Sequence, residues 1–138
     1  MTETPEFAKR GSKEIVETGR HFQPKFDADG LIPAIVTDAA GGGVLMFAFM
    51  NAEALQATIE TRRGHFYSRS RQRQWMKGEQ SGNILEVQSL YTDCDQDVVW
   101  LTATVAGDGA ACHTGVRSCF YRAVDLDVTA PPHRLTPA

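Results

Sequence analysis

Two short apolar stretches, Leu31–Thr37 and Val44–Met50, are rich in β-formers and flank the turn-like run Asp38-Ala-Ala-Gly-Gly-Gly43. That arrangement predicts a β-hairpin. Asn51 follows as a helix N-cap, with Met50 and Leu55 at the positions of a hydrophobic staple. Leu55 and Ile59 share one face of the helix, which runs to about Arg62 and is broken at Gly64. His65–Ser68, Ile84–Tyr91 and Val98–Val105 read as further strands. In the last of these, Val99, Leu101, Ala103 and Val105 form one face against Val98, Trp100, Thr102 and Thr104. Alternation returns over Cys119–Val128 through Phe120, Arg122, Val124 and Leu126. A short helix is expected near Phe7–Glu17, ending at Gly19. The sum is a mainly β (α+β) single domain with one firm helix. Residues 1–25 form an N-terminal extension, residues 26–128 the domain, and residues 129–138 an extended or disordered tail.

Composition narrows the class. With 138 residues, 42% hydrophobic and 22% charged, the chain suits one globular domain. A net charge of -3 argues against bulk attraction to nucleic acid or to anionic membrane. No apolar run is long enough to span a bilayer and no secretory signal is visible, so a cytoplasmic protein is expected. Three cysteines, an odd number, do not make a disulfide framework; in a reducing compartment they stand as thiols or metal ligands.

The chemistry concentrates in Asp93-Cys94-Asp95-Gln96-Asp97, Cys112-His113-Thr114-Gly115 and Cys119. Thiolates suit zinc, and clustered carboxylates suit magnesium or calcium. Three protein ligands on zinc would leave a fourth position for water, the catalytic pattern. Buried core thiols are the plain alternative. Asp93, Asp95 and Asp97 recur at period two; on an extended segment they project to one side, with Cys94 on the other. A solvated acidic turn would give the same run. An EF-hand is excluded, because Val98 and Thr104 stand where that loop needs Gly and Glu. His113 could be a fourth ligand, a general base or a satisfied polar residue, and His65 is a weaker candidate for the base. Arg62, Arg63, Arg69, Arg71, Arg73 and Lys77 gather positive charge beside Trp75, Ser81 and two glycines, a set suited to a phosphorylated, nucleotide-like ligand. Single-stranded RNA is the rival ligand for that stretch, but it does not explain the thiolates.

These residues resemble the phosphoribosyl-AMP cyclohydrolase family of histidine biosynthesis. The resemblance covers about Gly30 to Val124, through Gly30-Leu-Ile-Pro-Ala-Ile35, Phe66-Tyr-Ser-Arg-Ser-Arg71, Trp75, Lys77-Gly-Glu79, Ser81-Gly-Asn83, Asp93-Cys-Asp95, Asp97, Ala111-Cys-His-Thr-Gly115 and Ser118-Cys-Phe-Tyr-Arg122. It implies zinc on Cys94, Cys112 and Cys119 and magnesium on Asp93, Asp95 and Asp97. It also implies an intertwined homodimer with one zinc per subunit, each site taking Cys94 from one chain and Cys112 and Cys119 from the other. The expected reaction is hydrolysis of the N1–C6 bond of 1-(5-phosphoribosyl)-AMP by zinc-activated water. His113 is then the expected base, and Arg69, Arg71, Trp75, Lys77 and Ser81 the expected substrate contacts. Ending at Ala138 with no pyrophosphohydrolase domain, the chain reads as the stand-alone form. A nucleobase deaminase is disfavoured, since His-x-Glu and Pro-Cys-x-x-Cys are both missing.

Overall fold

The computed structural model describes residues 4–138. Its elements, in chain order, are α1 (Lys13–Thr18), β1 (Ile32–Asp38), β2 (Val44–Met50), α2 (Ala52–Thr61), β3 (His65–Ser68), β4 (Arg73–Met76), β5 (Leu85–Thr92), β6 (Val99–Val105), β7 (Arg122–Val124) and β8 (Leu135–Pro137). Six strands form one sheet in the order β4-β3-β2-β1-β6-β5, and β7 and β8 make a separate ribbon. β1 pairs antiparallel with β2, as the hairpin reading expects, and parallel with β6.

The sheet curls into a half-barrel. The stretch before β3 meets the outer edge of β5, where the Val87 amide donates to the Arg62 carbonyl at 2.8 Å and the Gly64 amide to the Leu85 carbonyl at 3.1 Å. These bonds satisfy backbone groups that an open edge strand would leave unpaired. The enclosed core takes alternate residues of β1 (Ile32, Ala34, Val36) and of β6 (Val99, Leu101, Ala103), with Phe66, Leu85 and Leu55. Helix α2 rests on this core through Ala54, Leu55 and Thr58.

Asn51 caps α2, its side chain accepting from the Ala54 amide at 2.8 Å. Met50 and Leu55 are both fully buried, as a staple requires. The helix stops at Arg62, which takes the left-handed conformation with φ 56°, ahead of Gly64. Gly64 matters for closeness instead: a Cβ there would press on Leu85 and Phe66. Ile59 is 44% exposed and does not share the buried face of Leu55; Thr58 takes that place, donating to the Ala54 carbonyl and accepting from the His65 amide.

Two further expectations are corrected, and one strand was not expected. The first helix begins at Lys13, capped by Ser12, and does not reach back to Phe7, which instead packs against Phe22 and Phe26. Arg73–Met76 is a strand paired with β3 in a β-hairpin; its first two residues are exposed, so no apolar alternation marked it. Regular pairing after Cys119 is confined to Arg122–Val124, and the tail supplies its partner, Leu135–Pro137. Among the described residues no helix is long and apolar enough to cross a membrane.

Replacing Asn51 by Ala should destabilise the fold by about 1 kcal/mol, because the Ala54 amide loses its acceptor, whereas Ser should nearly restore it. Chemical denaturation of the two variants and the unsubstituted protein measures the difference.

Candidate active site

The β5–β6 connection carries the acidic run. Asp93 to Val98 form a tight turn between Thr92 and Val99, with Gln96 left-handed at φ 55°. The extended geometry expected from the period-two spacing is therefore wrong. The turn itself gathers the carboxylates: the Gln96 amide donates to the Asp93 carbonyl at 3.1 Å and the Asp97 amide to Asp93 Oδ1 at 3.0 Å. Nor does Cys94 point away. One ligand atom each from Asp93, Cys94 and Asp95 lie within 4.8 Å of one another. Gln96 takes the buried side instead, only 5% exposed.

Crowding of like charge shifts the acids. Hydrogen bonding with Asp93, then with Asp95, pushes the Asp97 carboxyl up to about 6, and repulsion from both adds to the rise. For Asp93, burial raises the value, but hydrogen bonds from Asp95 and Asp97 outweigh it and hold the group below its ordinary range. Such a cluster shares a proton when empty and gains from a divalent cation.

The second group lies on the loop after β6. Cys112 is buried and Cys119 is exposed. The Cys119 amide donates to the Leu45 carbonyl of β2 at 2.8 Å, and the Ser118 hydroxyl to the Val44 carbonyl at 2.6 Å. The Cys112 amide meets the Val116 carbonyl at 3.2 Å, closing a small turn around Gly115. The two thiols lie near enough for each to shift the other's ionisation. Thr114 lowers the Cys112 thiol, first through its hydroxyl, which donates to Sγ at 3.0 Å, and then through its amide. Burial opposes this, while Cys119 and the Lys77 charge add to the lowering. Cys119 is raised by burial and then by the charge and hydrogen bond of Cys112, with Lys77 opposing. The two thiols are thus shifted in opposite directions, Cys112 toward easier and Cys119 toward harder ionisation.

Cys94 does not join this pair within the chain. Among the described residues the sole cluster of three close metal-ligating atoms is the one at Asp93, Cys94 and Asp95. Strand β1 intervenes between β2 and β6, two steps of about 4.8 Å each, and the turn bearing Cys94 lies beyond Val99. Leu45, which holds Cys119, sits instead at the level of Val36 and Thr37, whose partners on β6 are Leu101 and Thr102.

The basic residues are brought together. Arg71, Trp75, Lys77 and Ser81 line one cleft of about 190 Å³. Arg69 lines an adjoining cleft of about 200 Å³ that shares Arg71 and Trp75, and its guanidinium lies 4.2 Å from the Phe49 ring centre. Lys77 also acts on both thiols, so the cleft and the sulfur pair are neighbours. Of the histidines, His113 is exposed on the loop directly after Cys112. His65 is tethered, its Nδ1 2.8 Å from the Arg63 carbonyl; a carbonyl only accepts, so that nitrogen carries the proton.

Asn83 is a residue whose role the sequence did not reveal. Its amide nitrogen donates to Asp108 at 2.8 Å and to the Ala110 carbonyl at 3.0 Å, while its oxygen accepts from the Asp108 amide at 3.2 Å. It pins the cleft loop to the loop leading into Cys112. Gly78 and Gly107 both have positive φ beside it, and a side chain at either would collide with residues 82–84. The available signal was Ser81-Gly-Asn83 facing Gly107-Asp-Gly109.

The family model for phosphoribosyl-AMP cyclohydrolase matches residues 46–121. A protein named phosphoribosyl-AMP cyclohydrolase from Sinorhizobium medicae is 59% identical over 116 residues, 84% of this chain and 77% of that protein. Those of the same name from Agrobacterium fabrum and Brucella canis are 60% and 59% identical, covering 83% and 85% of this chain and 76% and 84% of their own.

The raised Asp97 value fixes the sign of a pH effect. A carboxyl that is harder to ionise folded than unfolded penalises the fold increasingly as pH rises from its unfolded value toward about 6. In metal-free protein Asp97→Asn should therefore raise the melting temperature at pH 7–8 and leave it little changed at pH 4. Thermal melts in chelator at the two pH values measure this.

Proposed function

Since the chain belongs to the phosphoribosyl-AMP cyclohydrolase family, we propose that its site opens the adenine ring of 1-(5-phosphoribosyl)-AMP, a step of histidine biosynthesis. Water adds at C6, the C6–N1 bond breaks with a proton passing to N1, and C6 keeps its exocyclic amine as a carboxamide. Alkylation at N1 makes the ring electron-poor and C6 open to attack.

The observation that carries this reading is the neighbouring Cys112–Cys119 pair beside Lys77, on the border of the Arg71–Trp75 cleft. A thiol held low by Thr114 and a second thiol near it suit a soft divalent metal. Two sulfurs alone do not complete a zinc site. We assign Cys94 of a second copy as the third ligand, in a homodimer, because Cys94 stands apart from the pair within one chain. Zinc held there would supply an acidified water at neutral pH.

The other residues bind and orient. Lys77, Arg71 and Arg69 give the cleft positive charge for the two phosphates, and Ser81 adds a hydroxyl. Trp75 offers a face to the heterocycle. His113, exposed on the loop after Cys112, takes the proton from water and returns it at N1. Asp93, Asp95 and Asp97 would hold magnesium, whose charge relieves their crowding. Three free thiols suit a reducing compartment, which supports a cytoplasmic enzyme.

Ring opening of phosphoribosyl-AMP followed by ultraviolet absorbance, together with metal analysis, tests the assignment. Cys112→Ala should lose zinc and turnover together while the fold persists. Turnover retained without zinc would defeat it. His113→Ala should lower kcat by about a hundredfold or more with zinc content unchanged; zinc lost in step with activity would make His113 a ligand.

A further inference from the structure

The N-terminal segment docks on the acidic turn, and its contact point is the one residue of that turn that faces inward. Gln96 uses every polar group it has. Its side-chain oxygen accepts from the Gln23 amide at 2.6 Å, and its side-chain nitrogen donates to the Val16 carbonyl at 2.9 Å. Its backbone oxygen accepts from the Lys25 amide at 2.7 Å, and its own amide donates back to the Asp93 carbonyl at 3.1 Å. A left-handed φ of 55° in a residue with a side chain is costly unless its surroundings fix it.

The segment is itself anchored. Gln23 is buried; Arg10 donates to its carbonyl at 2.9 Å, and the Gly11 amide to its side-chain oxygen at 3.1 Å. Val16 is buried, and Phe7, Phe22 and Phe26 pack against the main core. The connection therefore runs from the core, through Gln23 and Gln96, to the backbone that aims Asp93, Cys94, Asp95 and Asp97.

We infer that residues Arg10–Lys25 are a strap that acts through Gln96 to position the carboxylate turn. Gln96 is a positioning residue, since it touches no reacting atom and sets the turn's backbone from behind. Only an amide fits: a carboxylate would oppose the Val16 carbonyl, and an apolar group would leave the Gln23 amide unpaired in the interior. As a statement about cation affinity, this rests on reading the three aspartates as a cation site.

The test uses Gln96→Met, which preserves volume but none of the side-chain hydrogen bonds, and Arg10→Ala, which loosens the strap without touching the turn. Amide hydrogen exchange at Asp97, whose N–H is held by Asp93, reports the turn directly. In both folded variants exchange at Asp97 should quicken about tenfold, and Mg²⁺ measured by calorimetry should bind about tenfold more weakly. Faster exchange confined to Gln23 and Lys25, with Asp97 unchanged, would overturn the strap. If the unsubstituted protein takes up no Mg²⁺, the cation reading fails, while exchange at Asp97 still decides whether the strap holds the turn.

Discussion

The sheet order β2-β1-β6-β5 holds the carboxylate turn with Cys94 apart from the Cys112–Cys119 pair. β6 is gripped on both edges, parallel by β1 and antiparallel by β5, and its inward residues Val99, Leu101 and Ala103 are fully buried. It cannot slide without turning that face to solvent. The turn ahead of it presents Asp93, Cys94 and Asp95, while the chain beyond it returns to β2, where the Cys119 amide finds the Leu45 carbonyl. The chain thus offers a sulfur among acids and a separate pair of sulfurs beside a lysine.

Electrostatics divide the labour in the same way. The turn is a pocket of crowded negative charge in which Asp97 retains a proton to about pH 6. Around Cys112 the opposite holds, since Thr114 and Lys77 favour the anionic sulfur. Hard oxygen donors and soft sulfur donors select different ions. The basic cleft adjoins the sulfur pair through Lys77, which would bring a phosphorylated substrate to that side.

Much of this was legible from residue order. The Leu31–Met50 hairpin, the Asn51 cap and the inward face of β6 follow from local periodicity, which depends on neighbours only a few residues away. The curl was not legible, because the Arg62–Gly64 contact with Leu85–Val87 joins segments with no periodic signature. Arg73–Met76 was missed for a related reason: a strand whose first two residues are exposed need not alternate apolar and polar. In the site, residue types identified the sulfur and carboxylate groups, but the period-two argument failed. It assumed an extended backbone, and the left-handed Gln96 turned the acids and Cys94 to one side instead. Asn83 and Gln96 were invisible for another reason, as polar residues whose partners lie 25 or more positions away.

Mixing two inactive variants tests most directly whether sulfurs from two copies meet. Cys94→Ala spoils one half of each shared site and Cys112→Ala the other, so a mixed dimer would retain one intact site and one doubly broken one. Co-refolded in equal amounts, half the dimers are mixed, and about a quarter of full activity should return. No recovery from a mixture that demonstrably exchanges subunits would contradict the shared site.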